Sequence, residues 1–227
     1  MLISDDVLFL HVPKTGGLSV TSYLIENLKG PISLSRGLKA RPRKTADWPY
    51  ADIAARLSEF RGGRHESLRR AAKVLAGQGR QLSDFKLILA VIRNPYDLEV
   101  SHYEHQRKPK VVKRRGDRTE AVAAAATGDF THFAKVAPYY GKLPARIERY
   151  YTLKGETPAN MQLVRFEALS DSVPGLVAPF SFNRGAFPHH NVSSGRRPYR
   201  DYLTPEAEAA IYEKYRFLFD FYPRETV

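Results

Sequence analysis

The chain has 227 residues, of which 43% are hydrophobic and 26% are charged, a composition that fits one globular domain and excludes a mostly disordered chain. It contains no cysteine, which excludes disulfides and thiolate metal sites. With 36 Lys and Arg against 24 Asp and Glu, the formal net charge is +12. We therefore expect anionic partners, such as nucleotides, acidic glycans, nucleic acid or acidic lipid.

The sequence gives no reason to expect a membrane or export signal. No apolar run approaches the roughly 20 residues that cross a bilayer, and residues 1–6 lack the basic start of a signal peptide. The expectation is a soluble, cytoplasmic protein with a single domain over residues 1–227.

Short apolar strand patterns alternate with helical patterns along the chain. Residues 7–12 are typical of a buried strand that stops at Pro13, and residues 18–28 place apolar side chains at helical spacing. A second strand pattern covers residues 85–92 and is followed by a helix, and a third covers residues 161–166. This alternation predicts an α/β fold built on a parallel sheet.

The end of the chain carries a clear helix start. Thr204 suits the N-cap and Pro205 the first helical position. Two basic stretches, residues 36–48 and 105–118, are interpreted as loops.

The first candidate site is the segment Pro13-Lys14-Thr15-Gly16-Gly17-Leu18-Ser19 between the first strand and its helix. Backbone N–H groups and the positive end of the helix dipole converge at such a turn and bind anions. Lys14 precedes the glycines, so the segment is not a Walker A loop, which disfavours a kinase or ATPase. The alternative is a glycine-rich turn with a solvated Lys14.

The second candidate site follows the second strand. Arg93 stands at its carboxyl end, where a guanidinium can clamp a phosphate, and Ser101 adds a hydroxyl from the next helix. The alternative is a structural ion pair between Arg93 and Asp97. Ligands of open α/β sheets bind outside the carboxyl ends of the strands, which favours the first hypothesis.

Both motifs are similar to those of a known family. Residues 9–17, Phe-Leu-His-Val-Pro-Lys-Thr-Gly-Gly, resemble the 5′-phosphosulfate loop of sulfotransferases that use 3′-phosphoadenosine-5′-phosphosulfate (PAPS). The likeness is greatest to the carbohydrate O-sulfotransferase branch, which includes heparan sulfate 2-O-sulfotransferase. Residues 91–97, with Ser101 and Tyr103, resemble the family's 3′-phosphate motif, and residues 164–169 resemble its strand before the acceptor-side turn.

The resemblance implies a three-layer, P-loop-like fold with a central parallel sheet flanked by helices. It also implies PAPS as donor, 3′-phosphoadenosine-5′-phosphate (PAP) as product, and no metal. The donor-binding residues that it implies are Lys14, Thr15, Gly16, Gly17, Leu18, Ser19, Arg93, Ser101, Arg196 and Arg197. Leu98 departs from the family, which usually has a basic residue there, so one contact near the nucleotide or the helix surface is expected to be absent.

Two side chains are candidates for catalysis. Lys14 can neutralise charge on the leaving phosphate. His65 lies between the two phosphate motifs, where related enzymes place a base, and Glu66 is the second choice. The alternative for His65 is a surface loop histidine. His11 is expected beside the loop or packed in the strand, and His189 and His190 on the acceptor side.

The acceptor is expected to be a hydroxyl of a carbohydrate or glycolipid, including an anionic glycan. The basic segment 107–118 either attracts such an acceptor or is a solvated loop. The competing hypotheses are a kinase or another nucleotide-dependent transferase, a basic nucleic-acid-binding protein, and an inactive family member. No familiar nucleic-acid-binding motif is present, so nucleic acid is not the expected partner.

Overall fold

The computed structural model describes residues 1–38, 50–115, 120–139, 146–182, 185–188 and 197–225. The chain divides into two compact units. The first unit comprises Met1–Ile92 and Arg149–Val192, and the second comprises Arg93–Glu148 and Ser193–Val227. The single domain expected from the chain length stays a prediction.

A six-stranded sheet forms the centre of the first unit within the described residues. Its strands are β1 (Leu2–Ile3), β2 (Val7–Leu10), β3 (Ile32–Ser35), β4 (Leu57–Phe60), β5 (Leu87–Ile92) and β6 (Met161–Arg165). They lie in the order β4-β3-β1-β2-β5-β6. β2, β5 and β6 are parallel, as are β3 and β4, whereas β1 is antiparallel to both of its neighbours. The predicted α/β fold is confirmed, and β1 makes its sheet mixed.

Helices belong to both units. In chain order they are α1 (Gly17–Asn27), α2 (Tyr50–Arg56), α3 (Leu68–Ala76), α4 (Pro95–Gln106), α5 (Pro109–Arg115), α6 (Glu120–Thr127), α7 (Phe130–Val136), α8 (Leu169–Val177) and α9 (Pro205–Tyr215). The first unit contains α1, α2, α3 and α8, and the second contains the others. No helix of the described segments is both long and apolar enough to cross a membrane.

The central strands of the first unit are buried on both faces. Phe9 and Leu89 share a core with Leu24 of α1 and Val173 of α8. The alternate strand residues are equally inaccessible, as Leu8 shows with 0% exposure. Burial on both faces explains why β2 and β5 are continuous apolar runs rather than alternating ones.

In the second unit, a buried carboxylate fixes α4 to α9. Glu99 of α4 is 0% exposed and accepts hydrogen bonds from Lys214, at 2.6 Å, and from the Tyr215 hydroxyl. Burial alone would raise the pKa of Glu99, but the Lys214 ammonium and His102 together outweigh it and bring that pKa to about 2. The carboxylate is therefore ionised at neutral pH, and α4, which follows Arg93, is held in place.

Two local predictions have different outcomes. The last helix begins as predicted, because the Thr204 side chain accepts the Ala207 N–H and Pro205 is the first helical residue. The prediction of a loop over residues 105–118 is wrong for residues 105–115, the part that the structure describes. α4 reaches Gln106 and α5 begins at Pro109, where a proline is tolerated and where Lys and Arg favour helix. Most of the other predicted loop, residues 39–48 of 36–48, lies outside the described residues.

Candidate functional site

The turn between β2 and α1, residues 11–16, presents the start of a helix that no side chain caps. Gly16 is the N-cap with φ 75°, no side-chain hydrogen bond caps the helix, and its first turn contains no acidic residue. The N–H groups at the start of an α-helix have no partner within the helix and attract anions. This sequence-predicted anion site therefore has the local structure that such a site needs.

Gly16 of this turn and Gly17, the first residue of α1, are both required by their surroundings. A Cβ at Gly16 would lie 2.9 Å from atoms of Phe166 and Leu169, in addition to the strain of its positive φ. A Cβ at Gly17 would lie 2.5 Å from Nε2 of His11. The Gly-Gly pair thus lets the turn pack closely against the segment between β6 and α8 and against His11, which follows β2.

The neighbouring residues of the turn and of the first turn of α1 differ in exposure and in side-chain contacts. The Thr15 side chain is 0% exposed and donates to the Val12 carbonyl at 3.0 Å, so it shapes the turn. Lys14 is half-buried and has a left-handed backbone, with φ 61°. Ser19 is 6% exposed, and Leu18 packs against the core. Backbone N–H groups and the Lys14 ammonium are therefore the groups suited to bind a ligand.

His65 lies against His11, a contact between residues 54 positions apart. Nδ1 of His65 is 2.8 Å from the His11 carbonyl oxygen and 3.2 Å from His11 Nδ1. The ring centroids are 4.8 Å apart. His65 is followed by α3, whose N-cap Ser67 accepts the Arg70 N–H. The sequence-predicted base is thus brought to the turn that holds Lys14.

Both imidazoles are neutral at pH 7. Burial lowers the pKa of His65 to about 4, although its hydrogen bond to the His11 carbonyl opposes this, and Arg64 lowers it further. Burial lowers the pKa of His11 well below its usual value, and His65 and Arg64 add to the effect. A neutral histidine can accept a proton, so His65 is in the correct state for a general base.

Glu66, the second choice for the base, takes part in local structure. Its carboxylate accepts the Gly63 N–H and lies 3.7 Å from the Arg70 guanidinium. These contacts shape the turn before α3 and leave His65 as the better candidate.

A basic cavity of about 520 Å³ lies beside the His65 turn. Its charged lining consists of Arg36, Arg61, Arg70 and Glu66, and Gly62, Gly63 and Val74 complete it. Pairing of β3 with β4 brings the first two arginines together, since Arg36 donates its backbone N–H to the Phe60 carbonyl. This cavity could not be predicted from the sequence, because its arginines come from three segments that only the sheet and α3 unite.

In the second unit, Arg93 and Asp97 form an ion pair at the start of α4. Their side-chain atoms approach to 2.5 Å and 2.6 Å, and the Arg93 side chain is 8% exposed. Asn94 caps the helix by accepting the N–H groups of Tyr96 and Asp97. Ser101, partly exposed, lies one turn beyond Asp97. The ion-pair alternative for Arg93 is therefore realised, and a phosphate would have to share this guanidinium with Asp97.

The remaining sequence-predicted residues are only partly described. The Arg197 guanidinium lies over the Tyr202 ring, 4.8 Å from its centroid. Arg196, His189 and His190 lie outside the described residues. Leu98 is 0% exposed, so a basic residue at this position would have to be buried. Among the described residues, no group of three or more His, Asp and Glu side chains could hold a metal ion.

Comparison with known proteins finds likenesses among solved structures only. No protein-family model matches the sequence, and no curated protein matches it significantly. Among solved structures, the chain is similar to a sulfotransferase from Alicyclobacillus acidocaldarius, with 15% sequence identity and a TM-score of 0.44. The match covers 99% of this chain and 98% of that one.

Proposed function

We propose that the protein is an O-sulfotransferase that moves a sulfuryl group from PAPS to an acceptor hydroxyl of a carbohydrate or glycolipid. The observation that carries the proposal is the β2–α1 turn, in which Lys14 is followed by two obligatory glycines at the start of a helix without a side-chain cap. The sequence of this turn is the one that resembles the phosphosulfate loop of the family.

Each of the two motifs is assigned to one end of the PAPS donor. Backbone N–H groups of residues 15–18 bind the 5′-phosphosulfate, with Lys14 at the bridging oxygen and Ser19 in the first helical turn. Arg93 and Ser101 bind the 3′-phosphate. Arg196 and Arg197 are assigned to the same end of the nucleotide.

Sulfuryl transfer by this assignment is a single in-line displacement. The acceptor oxygen forms a bond to sulfur while the bond from sulfur to the 5′-phosphate oxygen breaks, and His65 takes the proton of the acceptor hydroxyl. The electron pair of the broken bond stays on the phosphate of PAP, where the Lys14 ammonium stabilises it. The step needs no metal and no covalent enzyme intermediate.

The basic cavity beside His65 supports an acceptor that carries a negative charge. Three arginines and one glutamate line it, so its lining is cationic. A carboxylate or sulfate group of an acidic glycan has the complementary charge and a shape that guanidinium groups bind well.

The first experiment is a calorimetric titration with PAP, run beside ATP and ADP. The wild type is expected to bind PAP at micromolar concentration and not ATP, and Arg93→Ala is expected to lose this binding. Arg216→Ala is the matched control, because Arg216 forms an exposed ion pair with Glu213. No PAP binding by the wild type would reject the proposal, and ATP binding instead would favour a kinase.

Lys14→Ala separates transition-state stabilisation from binding. Because Lys14 is assigned to charge that develops during the reaction, kcat should fall by about a hundred-fold or more while PAP affinity changes little. Equal losses in kcat and in PAP affinity would contradict that role.

A further inference from the structure

The contacts of His65 determine which of its ring nitrogens carries the proton. Nδ1 lies 2.8 Å from the His11 carbonyl oxygen, which can only accept a hydrogen bond. Nδ1 must therefore be the donor, and in the neutral ring the lone pair is on Nε2. The basic atom of His65 is thus Nε2.

The same reasoning fixes the proton of His11. Its Nδ1 lies 3.2 Å from the protonated Nδ1 of His65, and two N–H groups cannot face each other at that distance. His11 Nδ1 is therefore an acceptor, and its proton is on Nε2. That Nε2 is buried next to Gly17 and has no hydrogen-bond partner among the described residues.

An unpaired buried donor destabilises a fold, and an apolar ring or chain would fill the same space without that cost. The polar ring of His11 is thus unfavourable on its Nε2 side and useful only on its Nδ1 side, where it meets His65. This asymmetry indicates a role that packing alone does not require.

We infer that His11 is a positioning residue, whose carbonyl oxygen and Nδ1 together hold the proton of His65 on Nδ1 and direct the lone pair of Nε2 to the acceptor hydroxyl. The catalytic meaning of this inference rests on the proposed function. The tautomers themselves do not depend on it.

Two substitutions at His11 separate its ring nitrogens. In His11→Asn the side-chain amide oxygen takes the place of Nδ1 and can still accept from His65. In His11→Gln the amide reaches toward the place of Nε2, so the side-chain acceptor for His65 is lost and only the backbone carbonyl of residue 11 remains. Both variants are polar, neutral and smaller than histidine, so they form a matched pair.

With an active acceptor, His11→Asn is expected to keep kcat within about three-fold of the wild type, and His11→Gln to lose about ten- to hundred-fold. PAP affinity should stay within about three-fold in both. Equal kcat values in the two variants would overturn the inference, as would a loss of PAP affinity that parallels the loss of kcat.

Nitrogen-15 NMR of the imidazole rings tests the tautomers without any turnover. The wild type should show His65 protonated on Nδ1 and His11 on Nε2, with signals assigned by their loss in His65→Gln and His11→Asn. A mixed tautomer of His65 is expected in His11→Gln. The opposite tautomer of either ring in the wild type would overturn the inference, whereas failure of PAP binding with these tautomers present would reject only the proposed function.

Discussion

Gly17 has a hydrogen where other residues have a Cβ, and this leaves room for the His11 ring beside the start of α1. A Cβ would lie 2.5 Å from His11 Nε2, and His11 is only 5% exposed, so the ring has little room to move. We expect Gly17→Ala to lower the free energy of unfolding by about 1–3 kcal/mol, because overpacking displaces buried groups. Urea unfolding measures this change.

Gly77→Ala is the control in the same unit. Gly77 has φ −65°, and its added Cβ would meet no atom closer than 3.5 Å. This substitution should raise the free energy of unfolding by about 0.4–1 kcal/mol, because alanine lowers the conformational entropy of the unfolded chain. Equal effects of the two substitutions would show that contact with His11 does not restrict residue 17.

The lowered pKa of His65 predicts how the stability of the protein depends on pH. Its pKa is 6.5 in the unfolded chain and about 4 in the folded protein, so between these values only the unfolded chain takes up the proton. Stability should therefore fall as the pH falls from 6.5 to 4. Unfolding at pH 7 and pH 4.5 should show a larger loss in the wild type than in His65→Gln, and parallel losses would contradict the lowered pKa.

The same pKa predicts the pH profile of the reaction. A base with a pKa of about 4 is already neutral at pH 5.5, so kcat/KM should show no acidic limb near pH 6.5. A limb at that pH would mean that an ordinary, exposed histidine is the base.

At the scale of the element, the start of α4 combines an ion pair with a proposed phosphate site. Asp97 holds the nearly buried Arg93, so Asp97→Asn should lower the stability of the free protein by about 1–2 kcal/mol. In this variant a bound 3′-phosphate would supply the negative charge that the Asp97 carboxylate gave to Arg93, and no carboxylate would repel the phosphate. PAP affinity should therefore rise about three- to ten-fold, for a repulsion of about 1 kcal/mol.

Calorimetry with PAP, together with urea unfolding, measures the two opposite effects of Asp97→Asn. The control is Glu213→Gln, which breaks an exposed ion pair whose side chains are 66% and 63% accessible and should change neither quantity by much. A loss of PAP affinity in Asp97→Asn would mean that the ion pair orients Arg93 for the ligand rather than competing with it.

Elements with strong local patterns were predictable, and those that depend on pairing were not. The apolar runs of β2 and β5 and the Thr204 cap of α9 can be found in the sequence because each is defined by adjacent residues. β1 has two residues and β4 has a mixed burial pattern, so both depend on their neighbours in the sheet.

The candidate site divides in the same way. The Lys14 turn was predictable because its residues are consecutive, and His65 was placed by resemblance. The contact of His65 with His11 was not predictable, since it joins residues 54 positions apart through the folded first unit.

At the scale of the whole molecule, the net charge of +12 attracts any polyanion, so binding of an acidic glycan is by itself not informative. A local site must be separated from this general field. Arg61 lines the cavity beside His65, whereas Arg69, an exposed neighbour of Arg70 on α3, is absent from its lining. Arg61→Gln and Arg69→Gln each lower the net charge from +12 to +11, and they therefore weaken the general field equally.

Only Arg61→Gln is expected to weaken binding of a sulfated oligosaccharide, by about five- to ten-fold at physiological salt, because it alone removes a guanidinium from the cavity. Titration of both variants between 50 mM and 200 mM salt measures this difference, with PAP affinity as a check that the first unit is intact. Similar losses in the two variants would assign glycan binding to the net charge, and the cavity would then have no part in acceptor choice. A loss confined to Arg61→Gln would make the groups around His65 the place where the acceptor is selected.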